Sequence, residues 1–233
     1  PRTMMQKWLT PPTQVEFGGL GDGLLTTTIS FLEMHERPKK RYVPSPGGKL
    51  ALMRASPPTV AFYRHLYEVV GETWFWWERR VLSDNDLAKI ISDPQVEIYV
   101  LYIDGVPAGF SEIDLRRRPT HGIAEVAFLG LVPKFIGHGY GNYLMNWAIA
   151  AAWQHKPRVV TVNTCTLDHP RALSFYQRSG FSVVNHEQRI IIDPRLTGVI
   201  PPDTPLPATS HTTKAPEHDE SQGNNVTHLP RHH

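Results

Sequence analysis

The chain has 233 residues and a formal net charge of +2 at pH 7, with 40% hydrophobic and 20% charged residues. The composition is ordinary for a globular protein, and the length allows one ample domain or two small ones. The near-neutral charge provides no global field that would attract nucleic acid or a membrane surface. No apolar run reaches the ~20 residues of a membrane-spanning helix, and the first residues lack the apolar core of a secretory signal.

We therefore expect a cytoplasmic protein that binds neither nucleic acid nor membrane. The single cysteine, Cys165, excludes an internal disulfide and fits a reducing compartment.

The two ends of the chain differ in composition from the middle. Residues 1–46 form a Pro- and Gly-rich N-terminal extension with one predicted strand at 24–34, which is rich in Thr and Ile. Residues 194–233 are rich in Pro, Thr, Ser, Asn and His, and they contain almost no large apolar residue after Leu206. Such a segment cannot bury enough surface to offset its ordering entropy, so we expect a disordered tail without a metal site.

The intervening domain, residues 47–193, alternates strand and helix patterns. Asp104-Gly105 is a hairpin signal, Ser83 is suited to begin a helix, and Gly180 is suited to end one. The predicted strands are 49–54, 96–103, 106–115, 123–132, 158–165 and 181–192. The predicted helices are 58–71, 83–93, 141–155 and 170–179. This order, β-α-α-β-β-β-α-β-α-β, predicts a mixed α/β fold in which a central mixed sheet carries helices on both faces.

Three glycines, Gly137, Gly139 and Gly141, lie between a nearly continuous apolar strand and a helix. A helix N-terminus has unpaired N–H groups and a positive dipole end, and glycine lets the backbone approach an anion closely. The Walker pattern is excluded because Asn142, not Lys-Ser/Thr, follows the last glycine, and the spacing G-x-G-x-G does not match the dinucleotide pattern. A tight turn with close strand–helix packing is the structural alternative.

Residues 123–181 contain two motifs, LGL at 129–131 followed by IGHGYG at 136–141, and HPRALSFYQRSGF at 169–181. Together they resemble the general-control-related N-acetyltransferase (GNAT) superfamily. There a central strand ends in a Leu-Ala-Val-like triplet, here LGL at 129–131, and a [Q/R]-x-x-G-x-[G/A] loop follows, here within IGHGYG at 136–141. The second motif, N-x-x-A-x-x-[LF]-Y-x-x-x-G-F, matches HPRALSFYQRSGF at 169–181. The resemblance implies a GNAT-like fold and an acyltransferase that uses acetyl-CoA (coenzyme A) as its acyl donor.

The resemblance also implies which residues bind the cofactor. They are Leu129, Gly130, Leu131, Gly137, His138, Gly139, Tyr140, Gly141, Asn142, His169 and Ala172. Two positions depart from the family pattern. Ile136 replaces the usual Gln or Arg, so that the pyrophosphate would rely on backbone N–H groups, and His169 replaces the usual Asn.

Acyl transfer to an amine requires a base for the amine, stabilisation of an oxyanion and a proton for the leaving thiolate. The resemblance makes Tyr176 the candidate acid and Glu125 the first candidate base. Glu112 and Asp114 on the neighbouring strand are rival bases. Backbone N–H groups near 129–131, where this strand is expected to diverge from the next, would meet the oxyanion. A core tyrosine and a surface or Arg-paired glutamate are the structural alternatives.

The stretch between the first two helices is rich in tryptophan, and in this superfamily that connection shapes the acceptor pocket. Trp74, Trp76 and Trp77 are therefore candidates for an apolar or cation-binding wall, and Arg79 for binding an acceptor carboxylate. At least Trp74 and Trp77, three residues apart, have a core interpretation as well.

We therefore expect an N-acetyltransferase that acts on a primary amine, with a small-molecule acceptor and direct transfer in a ternary complex. A covalent route through Cys165 is disfavoured, because a lone cysteine in an apolar strand is more often a core residue. The alternatives are a non-catalytic acyl-CoA-binding regulatory module and a protein (lysine or N-terminal) acetyltransferase, and assembly as a homodimer is left open.

Overall fold

The computed structural model describes residues 23–39 and 45–207, together with the backbone of His211–Thr212. The strands are β1 (Leu24–Met34), β2 (Leu50–Ala55), β3 (Val96–Ile103), β4 (Val106–Asp114), β5 (Ile123–Leu131), β6 (Val159–Cys165), β7 (Ser182–Ile192) and β8 (His211–Thr212). The helices are α1 (Val60–Gly71), α2 (Asp84–Ile91), α3 (Arg118–His121), α4 (Tyr140–Gln154) and α5 (Ala172–Arg178). The predicted mixed α/β order is confirmed, with α3 as an additional short helix.

A mixed sheet with the strand order β2-β3-β4-β5-β6-β1-β7 forms the centre of the fold, and β8 pairs with the start of β1. Strands β2 to β5 are antiparallel, β5 and β6 are parallel, and β1 runs antiparallel to both β6 and β7. The strand at 24–34, expected in an extension outside the domain, thus lies inside the sheet and connects β6 to β7.

Helices cover both faces of this sheet, as predicted. On one face, α1 and α2 pack on β3 and β4, and Tyr63 and Tyr67 of α1 are almost fully buried there. On the other face, α4 and α5 pack on β1, β4, β5 and β6, with Met145 and Tyr176 in the core. Thr59 begins α1 by accepting a hydrogen bond from the backbone N–H of Phe62.

Strand β5 contains a β-bulge at Ala127. Val126 pairs with Ile113 and Phe128 with Glu112, so that Ala127 is the extra residue. A bulge reverses the alternation of side chains between the two faces of a sheet. Val126 accordingly packs with the α4 face and Phe128 with the α1 face.

The parallel pairing of β5 with β6 is short. The last pair in the ladder is Glu125 with Thr161, although β5 continues to Leu131 and β6 to Cys165. The divergence expected near 129–131 therefore begins just after Glu125, next to the bulge. It opens the sheet between two adjacent central strands.

The segment that follows β7 is packed against the body of the protein. Ile200 is 1% exposed and belongs to a cluster with Leu25 and Phe75. Arg195 donates a hydrogen bond through Nη1 to the carbonyl oxygen of Thr204 at 3.1 Å. Residues 194–207 are thus ordered, in contrast to the disorder expected from 194 onward. The reason is that their few apolar side chains pack against residues beside β1. Except for β8, the remainder of the expected tail lies outside the described residues.

The helices in the described part of the chain include none that is long and apolar enough to span a membrane.

Candidate active site

A cleft with a volume of about 390 Å³ opens where β5 and β6 diverge. This volume is typical of small-molecule sites, which span roughly 300–1,000 Å³. The predicted site residues that line it are Trp74, Trp76, Trp77, Leu129, Gly130, Leu131, Gly137, Gly139, Gly141, Asn142, His169, Ala172 and Tyr176. Sequence segments that lie up to about a hundred residues apart thus meet in one place.

The glycine loop forms the end of this cleft and leads into α4. Gly137 and Gly139 have φ angles of +92° and +84°, which disfavour a residue with a Cβ atom. A Cβ atom at Gly137 would have no neighbour within 4 Å, so the backbone conformation rather than lack of room calls for glycine. Gly139 begins α4 without a side-chain cap. The first N–H groups of α4 are thus available to an anion, with the positive end of the helix dipole behind them.

Two loop residues do not line the cleft. His138 is exposed, and its ring centroid lies 6.3 Å from that of Tyr140. Tyr140 packs on the cluster formed by the ends of β3, β4 and α4. The side chains of these two residues therefore lie outside the cleft, in contrast to the glycines beside them.

Gly130 has a packing role in addition to its place in the cleft. A Cβ atom there would lie 2.5 Å from Cγ1 of Val70 and 3.2 Å from Cη2 of Trp76. The absence of a side chain lets α1 and the Trp76 indole approach β5 closely.

Tyr176 reaches the cleft from α5 and is 7% exposed. Burial raises the pKa of its phenol, and the negative charge of Asp168 raises it further. The hydroxyl group is therefore protonated at neutral pH and able to donate a proton.

Cys165 lies at the end of β6 and also lines the cleft. Burial raises the pKa of its thiol to about 12, with a further contribution from Asp168. Since the thiolate is the nucleophilic form, this environment does not suit a covalent acyl intermediate.

Glu112 and Arg79 do not belong to the cleft. Arg79 Nη2 lies 2.6 Å from Glu112 Oε1, and Glu112 is fully buried. The Tyr63 hydroxyl donates to the other oxygen of the same carboxylate. The predictions of Glu112 as base and Arg79 as acceptor-binding residue are therefore corrected, because each neutralises the other inside the protein. The rival base Asp114 is engaged as well, with Arg116 Nε 3.0 Å from Oδ1.

Glu125 is the last residue of β5 that pairs with β6, and it is half-buried. Its carboxylate does not line the cleft, but Asn163, which does, donates a hydrogen bond to Oε1 at 3.3 Å. Burial raises the pKa of Glu125, and the neighbouring charge of Asp114 raises it further. Glu125 is thus connected to the cleft through an amide rather than directly.

The tryptophan segment forms one wall of the cleft. Phe75 adopts a left-handed conformation with a φ of 57°, which turns the chain so that Trp74 and Trp76 both reach the cleft. The Trp76 ring packs against the Phe128 ring, with centroids 5.2 Å apart. The Trp74 ring lies 4.8 Å from that of His169. The wall is therefore largely aromatic.

Two carboxylates that line the cleft, Glu78 and Asp168, were not predicted from the sequence. Asp168 immediately precedes the second motif, and Glu78 immediately follows the tryptophan segment, so proximity to those motifs was the available signal. Burial raises the pKa of both. Among the residues that the structure describes, no group of three or more His, Cys, Asp or Glu could hold a metal ion.

The sheet opens beside a glycine loop and the N-terminus of α4, an arrangement of backbone N–H groups that suits an anionic ligand. Comparison with known proteins identifies the family. Residues 58–181 match the model of the acetyltransferase (GNAT) family, and the chain belongs to that family. No curated protein matches the sequence.

Solved structures with the same fold include a GCN5-related N-acetyltransferase from Sphaerobacter thermophilus, with 16% identity over 71% of this chain and 51% of that one, and a TM-score of 0.50. A Drosophila protein solved by structural genomics has 12% identity over 74% of this chain and 54% of its own, with a TM-score of 0.54. The chain spans about half the length of these two proteins. The aminoglycoside N-acetyltransferase AAC(6')-Iy, solved with CoA, has 17% identity over 62% and 94% of the two chains, with a TM-score of 0.45.

Proposed function

We propose that this GNAT-family chain transfers the acetyl group of acetyl-CoA to a primary amine of a small molecule, directly and in a ternary complex. The observation that carries the proposal is that Tyr176, the glycine loop and the diverging end of β5 line one cleft. Family membership supports transferase activity.

The cleft suits a ligand that combines a pyrophosphate with an extended arm. Backbone N–H groups of 137–142 and the α4 dipole would bind the pyrophosphate, since Ile136 offers only apolar surface there. The edge of β5 that faces away from β4 would accept the arm as a strand-like partner, because β6 no longer pairs with it. Ala172, at the start of α5, is small enough to leave room at the opposite side.

The chain's own groups fit the chemistry of direct transfer. Backbone N–H groups at 129–131 are candidates to stabilise the developing oxyanion. The protonated Tyr176 phenol is the candidate proton donor to the leaving thiolate. The high pKa of the Cys165 thiol, about 12, favours direct transfer over a covalent intermediate.

The tryptophan wall favours a small, partly apolar amine as acceptor. Indole faces attract cationic nitrogen at close range, an effect of ~0.5–2 kcal/mol. An alkylammonium with a pKa of ~10.4 is almost wholly protonated at pH 7, and removing its proton costs about 4–5 kcal/mol at 1.36 kcal/mol per pH unit. A base close to the acceptor nitrogen, either a carboxylate or a water chain, would remove this proton.

Two measurements test the proposal. Titration calorimetry with CoA should give saturable binding, and a panel of small primary amines with acetyl-CoA should release free thiol only when both substrates are present. Absence of CoA binding would overturn the proposal. Binding without thiol release from any amine or lysine peptide would indicate the non-catalytic module, and release with peptides alone would indicate a protein acetyltransferase.

A further inference from the structure

Glu78 and Asp168 are the carboxylates that line the cleft within the described part of the chain. Glu78 comes from the connection between α1 and α2, directly after Trp77. Asp168 comes from the loop after β6. They face the same cleft from two sides, and the charge of Asp168 acts on Glu78.

Both oxygen atoms of Asp168 are already engaged. Trp76 Nε1 donates to Oδ1 at 3.2 Å. Thr164 Oγ1 donates to Oδ2 at 2.7 Å, and the backbone N–H of Cys165 donates to the same atom at 2.9 Å. These three donors occupy both oxygen atoms, so that Asp168 offers few free lone pairs to an acceptor ammonium group. Asp168 thus fixes the Trp76 indole and the loop after β6.

Glu78 is held differently. The Tyr67 hydroxyl donates to its Oε2 at 3.0 Å, and Tyr67 is 1% exposed on α1. No Lys, Arg or His of the described residues forms an ion pair with Glu78, because the adjacent Arg79 is bound to Glu112. Glu78 is therefore a cleft carboxylate that is held by two neutral donors, the Tyr67 hydroxyl and its own backbone N–H, and that keeps acceptor capacity.

We propose that Glu78 is the catalytic residue that removes the proton from the acceptor ammonium group. This assignment rests on the proposed acetyl transfer. The ammonium proton moves to the Glu78 carboxylate, and the freed nitrogen lone pair forms the C–N bond to the thioester carbon. The C–S bond breaks as the thiolate receives a proton from Tyr176, and the nitrogen passes its second proton to the resulting Tyr176 phenolate. The products are a neutral amide, a free thiol, the regenerated phenol and protonated Glu78, so that atoms and charges balance.

The surroundings of Glu78 fit this role. Burial raises its pKa, and Asp168 from the loop after β6 adds to the increase. The backbone N–H of Glu78, Tyr67 from α1 and the neighbouring Arg79 act in the opposite direction, and Cys165 of β6 lies within electrostatic range. A carboxylate with a raised pKa is a stronger base, and its rate contribution grows as the pH exceeds that pKa.

The first test is Glu78→Gln, in which the amide oxygen can still accept the Tyr67 hydrogen bond. We expect kcat with the best amine to fall by about 10²-fold or more at pH 7, while CoA affinity measured by calorimetry stays within about twofold. The matched control is Glu72→Gln, because Glu72 is on the same connection, pairs with Arg80 and does not line the cleft. It should leave kcat unchanged.

A second variant, Tyr67→Phe, tests the assignment through pH dependence. Loss of the phenol donor removes stabilisation of the Glu78 anion, so the acidic limb of the kcat profile should move to higher pH while the plateau rate is largely kept. A Glu78→Gln variant that keeps kcat within tenfold, or an acidic limb unmoved by Tyr67→Phe, would overturn the role of Glu78. Absence of thiol release by the wild-type protein would instead overturn the proposed function itself.

Discussion

Arg79 Nη2 lies 2.6 Å from Oε1 of Glu112 in the interface between the sheet and α1. Glu112 is fully buried, and the Arg79 side chain is 14% exposed. Arg79 Cζ also lies 5.1 Å from the centre of the Phe128 ring. The ion pair therefore anchors the α1–α2 connection, which contains the tryptophan wall, to strands β4 and β5. In this way it positions the wall beside the cleft.

Arg79→Met should destabilise the protein by about 3–5 kcal/mol, because it leaves the buried Glu112 without its cation. Urea denaturation measures the change. Lys89→Met is the matched control, because Lys89 and its partner Asp86 lie on the surface of α2, and it should leave the urea midpoint almost unchanged. Equal midpoints for the two variants would contradict this account of the buried pair.

Gly137→Ala should weaken CoA binding by about tenfold, which corresponds to ~1.4 kcal/mol. The change disfavours a φ of +92° at the loop and displaces the N–H groups beyond it. Gly105→Ala is the matched control, since Gly105 has a φ of +85° and equally open surroundings, but lies in the hairpin between β3 and β4. Both variants should lose about 1–2 kcal/mol of stability. A loss of CoA affinity in both, or in neither, would show that the loop has no special part in binding.

Tyr176→Phe should lower kcat by about 10²-fold and leave CoA affinity within about twofold, since it removes a proton donor and keeps the ring. Because burial and the charge of Asp168 raise the Tyr176 pKa, its ionisation should cause no loss of wild-type kcat below pH ~10. Thiol release and calorimetry measure the two quantities, with Tyr102→Phe on β3 as a control outside the cleft. Equal losses of kcat and affinity would remove the acid role.

Local patterns sufficed to predict the element order and the glycine loop. Gly105 and Gly180 predict turns because glycine adopts backbone conformations that other residues avoid. The loop at 137–141 is predicted by its glycines, which lie between a strand and a helix. These features can be predicted without knowing which distant segments of the chain pack against them.

Features that depend on long-range pairing could not be predicted from the sequence. The strand at 24–34 was recognised, but no local pattern indicates that it inserts between β6 and β7. The bulge at Ala127 likewise depends on how β5 pairs with β4, which no local pattern indicates. Regular alternation would place Glu125 and Leu129 on the same face of the sheet. The bulge instead moves Leu129 to the face covered by α4, whereas Glu125 stays on the other face. Arg79 was misassigned because its partner Glu112 lies on another element.

Glu125→Gln should stabilise the protein at neutral pH and have no effect in acid. Burial and the charge of Asp114 raise the pKa of Glu125 in the folded protein, so the folded state keeps its proton at pH values where the unfolded chain has lost it. Stability due to this group therefore falls as the pH rises above ~4.3 and is unaffected below it. Gln cannot ionise and can still accept the bond from Asn163.

Thermal unfolding at pH 4 and pH 7 measures the effect. Each kcal/mol gained should raise Tm by about 2–4 °C at pH 7, with no difference at pH 4. Glu187→Gln provides a control of opposite sign, because the hydrogen bond from Arg189 lowers the pKa of Glu187. That variant should lose a little stability at pH 7, and an equal response of the two variants would contradict the buried environment assigned to Glu125.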